Sequence, residues 1–210
     1  MPISEAVVIK LLGKIPDSVY VACSGGVDSM AALSFLNNGK RNVKVAHFDH
    51  GTLHAGDAQS FVENYCSGQG LELAVGTVSR SRRKDESREE FWRNERYRFF
   101  KTLGLPVITA HHLNDVAEWW VFSSLHGESK LIPYSNDAVL RPFLLTPKLE
   151  LARWAKHRSV PFVTDPSNKN LAYMRNRIRH KIMPQCLKVN PGLEKVLRKK
   201  IEKSSEHISR

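Results

Sequence analysis

The sequence predicts an α/β fold: a doubly wound, mainly parallel sheet with helices on both faces, followed by a short C-terminal helical extension. Three observations carry that expectation. Short β-rich apolar runs at residues 17–22, 42–48, 71–78 and 106–110 alternate with segments of helical periodicity. Strands separated in this way need crossovers, and crossovers give parallel pairing. The first run also passes through Gly25-Gly26 directly into the apolar stretch 30–36. Strand, glycine turn, helix is the order in which such sheets present backbone N–H groups to an anion. At 210 residues the chain is long enough for one such domain with a sizeable core.

Taken in order, residues 4–12 have the spacing of a short leading helix, with apolar Ala6, Val7, Ile9 and Leu12. The first strand leads through the glycine turn to a helix that stops at Asn37-Asn38-Gly39. The second strand ends at Asp49-His50-Gly51, and a helix over 57–69 closes at Gly68-Gln69-Gly70. After the third strand comes a charged loop at 80–85, then a helix over 86–103 whose aromatics read mostly as core. The fourth strand leads into His111-His112-Leu113-Asn114-Asp115 and a helix to Leu125. Residues 130–137 read as irregular, 139–143 as a short edge strand ended by proline, and 149–157 as a helix. A turn at 164–168 precedes two basic helices, broken by Pro184 and by Asn190-Pro191-Gly192. This divides the chain into a catalytic domain over 1–184 and a basic helical tail over 185–210.

No run of about 18 apolar residues is present, so no membrane span is expected. The opening Met1-Pro2-Ile3-Ser4-Glu5 lacks a secretory pattern. Cys23, Cys66 and Cys186 are far apart and odd in number, which points to reduced thiols in a cytoplasm and not to a disulfide or zinc framework. The net charge of +11 is concentrated late: residues 169–210 hold twelve Lys or Arg against three Glu. That asymmetry points to a nucleic-acid partner.

Three strand ends carry polar clusters, and in an open sheet all three converge beyond the carboxyl edge. The first is Ser24-Gly25-Gly26-Val27-Asp28-Ser29. Its glycines admit a phosphate, its serines add donors, and Asp28 offers a carboxylate to magnesium. No lysine follows the glycines, so this is not a Gly-Lys-Ser/Thr phosphate loop. The second is His47-Phe48-Asp49-His50 and the third His111-His112. Adjacent histidines at a strand end point to opposite sides, which argues for hydrogen bonding to a nucleotide or loop over joint metal chelation. Asp115 and Glu118, three apart on a helix, suit a magnesium ion, an ammonium group or proton transfer, although helix capping and a solvated face explain them too. Arg93 and Arg96 are a clamp for an anion or a solvated face. Arg175, Arg177 and Arg179 alternate, so they serve several directions; some staple the segment down and others meet RNA phosphates.

The string Ser24 to Ser29 resembles the PP-loop of ATP pyrophosphatases, which cleave ATP to AMP and pyrophosphate. Together with His47-Phe48-Asp49-His50-Gly51, Glu89 through Arg93 to Arg96-Tyr97, Thr109-Ala110-His111-His112 with Asp115 and Glu118, Arg141-Pro142, and Asp165-Pro166-Ser167-Asn168 with Tyr173, Arg175, Asn176, Arg177 and Arg179, it is similar to the tRNA(Ile)-lysidine synthetase family over residues 19–184. The resemblance implies a C–N bond-forming ligase that uses ATP and Mg2+ on cytidine 34 of a tRNA(Ile) with a CAU anticodon, with L-lysine as second substrate. It implies catalytic roles for Asp28, Asp115 and Glu118, nucleotide contacts from Ser24, Gly25, Gly26, Val27, Asp28, Ser29, His47 and His111, a metal shared by Asp28 and Asp115, and lysine or tRNA contacts from Arg93, Glu118, Arg175, Arg177 and Arg179. It is compatible with a homodimer. The sequence departs from the family at Asn114, where an aspartate is usual, at His54 in place of an arginine, and at Trp119 in place of a threonine. Longer members also carry C-terminal tRNA-binding domains, for which only 185–210 stands here. Other PP-loop enzymes, or a non-catalytic tRNA- or nucleotide-binding module, are the alternatives.

Overall fold

The computed structural model describes residues 6–39, 41–51, 55–164 and 170–205. Among them six strands form one sheet in the order β3-β2-β1-β4-β6-β5. They are β1 (Ser18–Ala22), β2 (Asn42–Asp49), β3 (Leu73–Thr77), β4 (Val107–Ile108), β5 (Ser135–Asn136) and β6 (Val139–Leu140). All pairings are parallel except β5 with β6. The main helices are α1 (Val27–Asn37), α2 (Ala55–Gln69), α3 (Arg88–Thr102), α4 (Leu113–Leu125), α5 (Lys148–His157), α6 (Met174–Arg177), α7 (Met183–Val189) and α8 (Leu193–Ser204).

Period-two alternation along the strands divides the core, as a sheet covered on both faces requires. Val19 and Val21 lie in register with Val43 and Val45 and face α1, α5 and the Val62 side of α2. The intervening Tyr20, with Ala46, Val107 and Val139, faces Phe100 of α3. Phe99 of the same helix lies so close over Gly76 that a Cβ there would overlap its ring. A third apolar cluster joins Leu113, Val116, Ala117 and Val121 of α4 to Ile178, Met183 and to Leu193, Leu197 and Ile201 of α8. The helices over 183–204 are thus packed on the body of the sheet domain.

The doubly wound, parallel sheet is as the sequence predicts, and four local expectations are corrected. Residues 6–12 form no helix. Their backbone bonds outward instead, Leu12 N–H to the Pro142 carbonyl (2.7 Å), Lys10 N–H to Thr146 Oγ1 (3.0 Å) and Val8 N–H to Glu150 (2.9 Å). Tertiary partners override local spacing there. The strand at 139–140 is not the sheet edge, because the short β5 pairs outside it from within a segment read as irregular. Pro142 opens a 3-10 turn, Pro142–Leu145. Finally, Pro184 does not break the helix: α6 runs into a π turn over Ile178–Ile182 and on into α7. Proline has no N–H to give to its i−4 carbonyl, and the helix absorbs the missing bond by widening, with Met183 N–H reaching Ile178 O.

Candidate active site

Strand order reverses on either side of β1, with β2 on one flank and β4 on the other. The crevice beyond the carboxyl ends of β1 and β4 is the place where an open α/β sheet takes its ligand. The glycine turn lies there. Gly25 has φ +81°, and a Cβ on it would come within 2.9 Å of Val163 Cγ2. The Gly25 carbonyl also accepts the Val163 N–H at 2.9 Å, which ties the turn to the segment after α5. Gly26 caps α1 without any side-chain bond, leaving the helix N-terminus to another acceptor. Ser29 Oγ fixes the turn internally: it donates to Gly26 O (2.9 Å) and accepts from Ser24 N–H (3.2 Å).

Asp28, in the first turn of α1, is the acidic focus of this crevice. Its Oδ2 receives Lys148 Nζ at 3.1 Å and faces His112 Nε2 at 3.5 Å, whereas its Oδ1 is buried with no protein partner. Burial pushes the Asp28 carboxyl up, but His112 and Lys148 outweigh it and hold the group below the ordinary carboxylate range. His112 is the N-cap of α4: its Nδ1 accepts the Asp115 N–H (3.3 Å), and Asp115 Oδ2 accepts the His112 N–H (3.0 Å). A ring whose Nδ1 accepts carries its proton on Nε2, so His112 presents a donor to Asp28.

Asp115 and Glu118 do share a face, and it is filled by two guanidiniums. Arg175 Nη2 donates to Asp115 Oδ1 at 2.6 Å; Arg179 reaches the same oxygen at 3.3 Å and grips Glu118 at 2.7 and 3.0 Å. Both carboxylates are buried, while the Arg175 side chain is 52 % exposed. Burial would raise the Asp115 carboxyl, but His112, Arg175 and His111 drive it well below its usual value. Arg175 and Arg179 therefore point the same way, four apart on one helix, while Arg177 lies exposed. The alternate spacing separates only Arg177 from the other two.

The remaining predicted residues are distributed around this core. His47 is buried and donates from Nδ1 to the Cys23 carbonyl (2.8 Å), with its Nε2 buried and unpartnered. His111 bonds Thr109 Oγ1 through Nδ1 (2.8 Å), and burial, together with the nearby arginines 175, 141 and 96, takes its pKa down to about 3 against the pull of Asp115. Arg93 is exposed and stacks on Tyr97, whose hydroxyl accepts from the buried Arg141 (2.8 Å). Arg96 is depressed by burial and by its neighbours Arg175 and Arg93. His54 and the string Asp165 to Asn168 lie outside the described residues. Sequence reasoning misses Lys148, Val163 and the capping role of His112. The His112–Asp115 spacing is a legible capping signal, whereas nothing local marks Lys148.

A PP-loop domain model matches residues 4–186 of the chain. A tRNA(Ile)-lysidine synthase from Thermotoga maritima is 33% identical over 195 residues, covering 85% of this chain and 47% of the relative. One from Nitrosomonas europaea is 29% identical over 209 residues, covering 91% of this chain and 45% of the relative. The chain thus spans about half the length of these curated relatives. Among solved structures, a U34-tRNA thiolase from Methanococcus maripaludis, determined with its 4Fe–4S cluster, superposes with a TM-score of 0.73. That match covers 92% of this chain and 74% of the other at 17% identity, a likeness of fold.

Proposed function

The chain belongs to the PP-loop family, and from that premise we propose that it acts as a tRNA(Ile)-lysidine synthetase. The cytosine O2 of cytidine 34, in a tRNA(Ile) with a CAU anticodon, attacks the α-phosphorus of ATP, and the bond to the bridging oxygen breaks to release pyrophosphate. The ε-amine of L-lysine then attacks C2 and AMP leaves. The observation that carries this reading is the Gly25-Gly26 turn at the β1/β4 crevice, with the unpartnered Asp28 Oδ1 beside it. The turn and the open N-terminus of α1 supply donors that suit an anionic phosphate. Asp28 Oδ1 is the group that would hold a magnesium ion, and such an ion would neutralise phosphate charge. Asp115 would reach it only on releasing Arg175 and Arg179, which share its Oδ1, since its Oδ2 is taken by the His112 N–H. Ser24, Val27, Ser29, His47 and His111 border the nucleotide, Arg93 suits the lysine carboxylate, and Glu118 suits its ammonium. Arg175, half-exposed on the same carboxylates, yields its place to that ammonium, and Arg177 and Arg179 lie on the helix that meets RNA. The compartment is the cytoplasm, and a homodimer is compatible with this reading.

A sulfur-transferring PP-loop enzyme is the second reading, favoured only by the thiolase fold. Two of this chain's three cysteines argue against it: Cys23 and Cys66 are buried, and burial pushes the Cys66 thiol up to about 11. The deciding experiment supplies ATP, magnesium, labelled lysine and tRNA(Ile) transcripts bearing CAU. Pyrophosphate release coupled to label transfer is the expected result. Lysine-independent release without transfer assigns another acceptor, and no release at all assigns a binding module.

A further inference from the structure

Asn114 is engaged at both ends of its amide. Asn114 Oδ1 accepts the Lys148 backbone N–H at 2.8 Å, and its Nδ2 donates to Glu194 Oε1 at 2.8 Å. A backbone N–H can only donate and a carboxylate can only accept, so the position needs a group that does both. A carboxamide meets that need; an aspartate would face Glu194 with like charge. Asn114 sits in the first turn of α4, Lys148 is the first residue of α5, and Glu194 lies in the first turn of α8. The three helix starts are therefore joined through one amide. The side chain of the same Lys148, 40 % exposed, ends at Asp28 Oδ2, 3.1 Å away.

We infer that Lys148 is the cation that meets the triphosphate at the glycine turn, and that Asn114 and Glu194 are positioning residues through which α8 sets it there. The turn itself carries no lysine, and Lys148 Nζ is an ammonium placed beside it on Asp28. Phosphate oxygens arriving at the open N-terminus of α1 compete with Asp28 for that ammonium, which moves on its own flexible stem without disturbing the backbone bond. Asn114 in this chain is thereby part of a working site and no sign of a lapsed one.

This inference rests on the ATP-using reading above, and nucleotide binding separates the two. Binding of α,β-methylene ATP, which needs no acceptor, is measured for the full chain by calorimetry. Lys148→Met is expected to weaken it roughly tenfold and Lys148→Arg far less, since a charge-assisted bond is removed in one and kept in the other. Asn114→Asp is expected to weaken it in the same sense, and Asn114→Asp with Glu194→Gln to restore it, because the new amide donates to the new carboxylate. Recovery of nucleotide affinity, and not of melting temperature alone, is the readout that a merely structural contact does not move. Lys148→Met binding as the wild type does overturns the inference, as does a double variant no better than Asn114→Asp. Wild type that binds the nucleotide but transfers no lysine overturns the proposed function and leaves the inference standing.

Discussion

At the scale of single residues, the glycine turn and the histidines make separate demands. Gly25 holds a left-handed φ of +81° against Val163, so any Cβ there meets both backbone strain and a side chain. Gly25→Ala is expected to lower stability by about 1–3 kcal/mol and to weaken nucleotide binding together; denaturant melts and calorimetry check both. Gly26→Ala meets nothing nearer than Ser24 Oγ at 3.6 Å and serves as the mild control for the stability arm alone. Two histidines contribute to the expected response to acid. Burial first, and then the Arg96 charge, brings His50 down to about 4, while His111 sits at about 3, against an ordinary 6.5 for both. Between those values the unfolded chain binds protons that the folded chain refuses, so stability rises with pH across that window and is lost as pH falls below 6.5. Urea melts from about pH 7 to about pH 4.5 are expected to show this slope, and His111→Gln to flatten it. An unchanged slope in that variant would place the acid sensitivity elsewhere.

At the scale of elements, the helix over 174–189 is fastened to α4 by Arg175 and Arg179 on Asp115 and Glu118. Removing Arg179 leaves two buried carboxylates short of a partner, so Arg179→Met is expected to cost about 1–3 kcal/mol. Asp115→Asn gives up the charge that holds Arg175 but keeps an oxygen for the His112 N–H. It is expected to loosen α6 and to reduce lysine transfer more than pyrophosphate release; full lysine incorporation in that variant would remove Asp115 from the site. Elements are also where the sequence is most and least readable. Alternation in Val19-Tyr20-Val21 and the Ser24 to Ser29 string announce β1, the turn and α1, because strand period and turn chemistry are local. Residues 6–12 mislead, since their apolar spacing serves bonds to Pro142, Thr146 and Glu150 and not a helix. Lys148 is invisible in the sequence for the same reason: its meaning lies in Asp28, 120 residues away in the chain. Arg175 and Arg179 are legible as a pair of cations, but only the packed helix shows that they point together.

At the scale of the whole molecule, the basic C-terminal stretch has a buried apolar face and an exposed basic one, and a deletion removes both together. Its lysines 195, 199, 200 and 203 are exposed, whereas Leu193, Leu197 and Ile201 are buried against α4. Burying an aliphatic side chain stabilises by about 1.5–3 kcal/mol, so removing residues 190–210 strips three of them from one cluster. It also strips Glu194 from Asn114. That truncation is expected to lower the melting temperature sharply and to weaken nucleotide binding even without RNA, which a detached tail would not do. Replacing Lys195, Lys199 and Lys203 with Gln leaves the buried face intact. It is expected to leave stability nearly unchanged while reducing tRNA affinity and flattening its salt dependence. Each lysine–phosphate pairing contributes roughly one unit or slightly less to the slope of log affinity against log salt, and the glutamines contribute none. Filter binding at several salt concentrations, run beside thermal melts of both variants, separates the contributions of the two faces. A truncated chain that melts as the intact one does, with nucleotide affinity unchanged, would show that α8 neither holds the fold nor acts on the site.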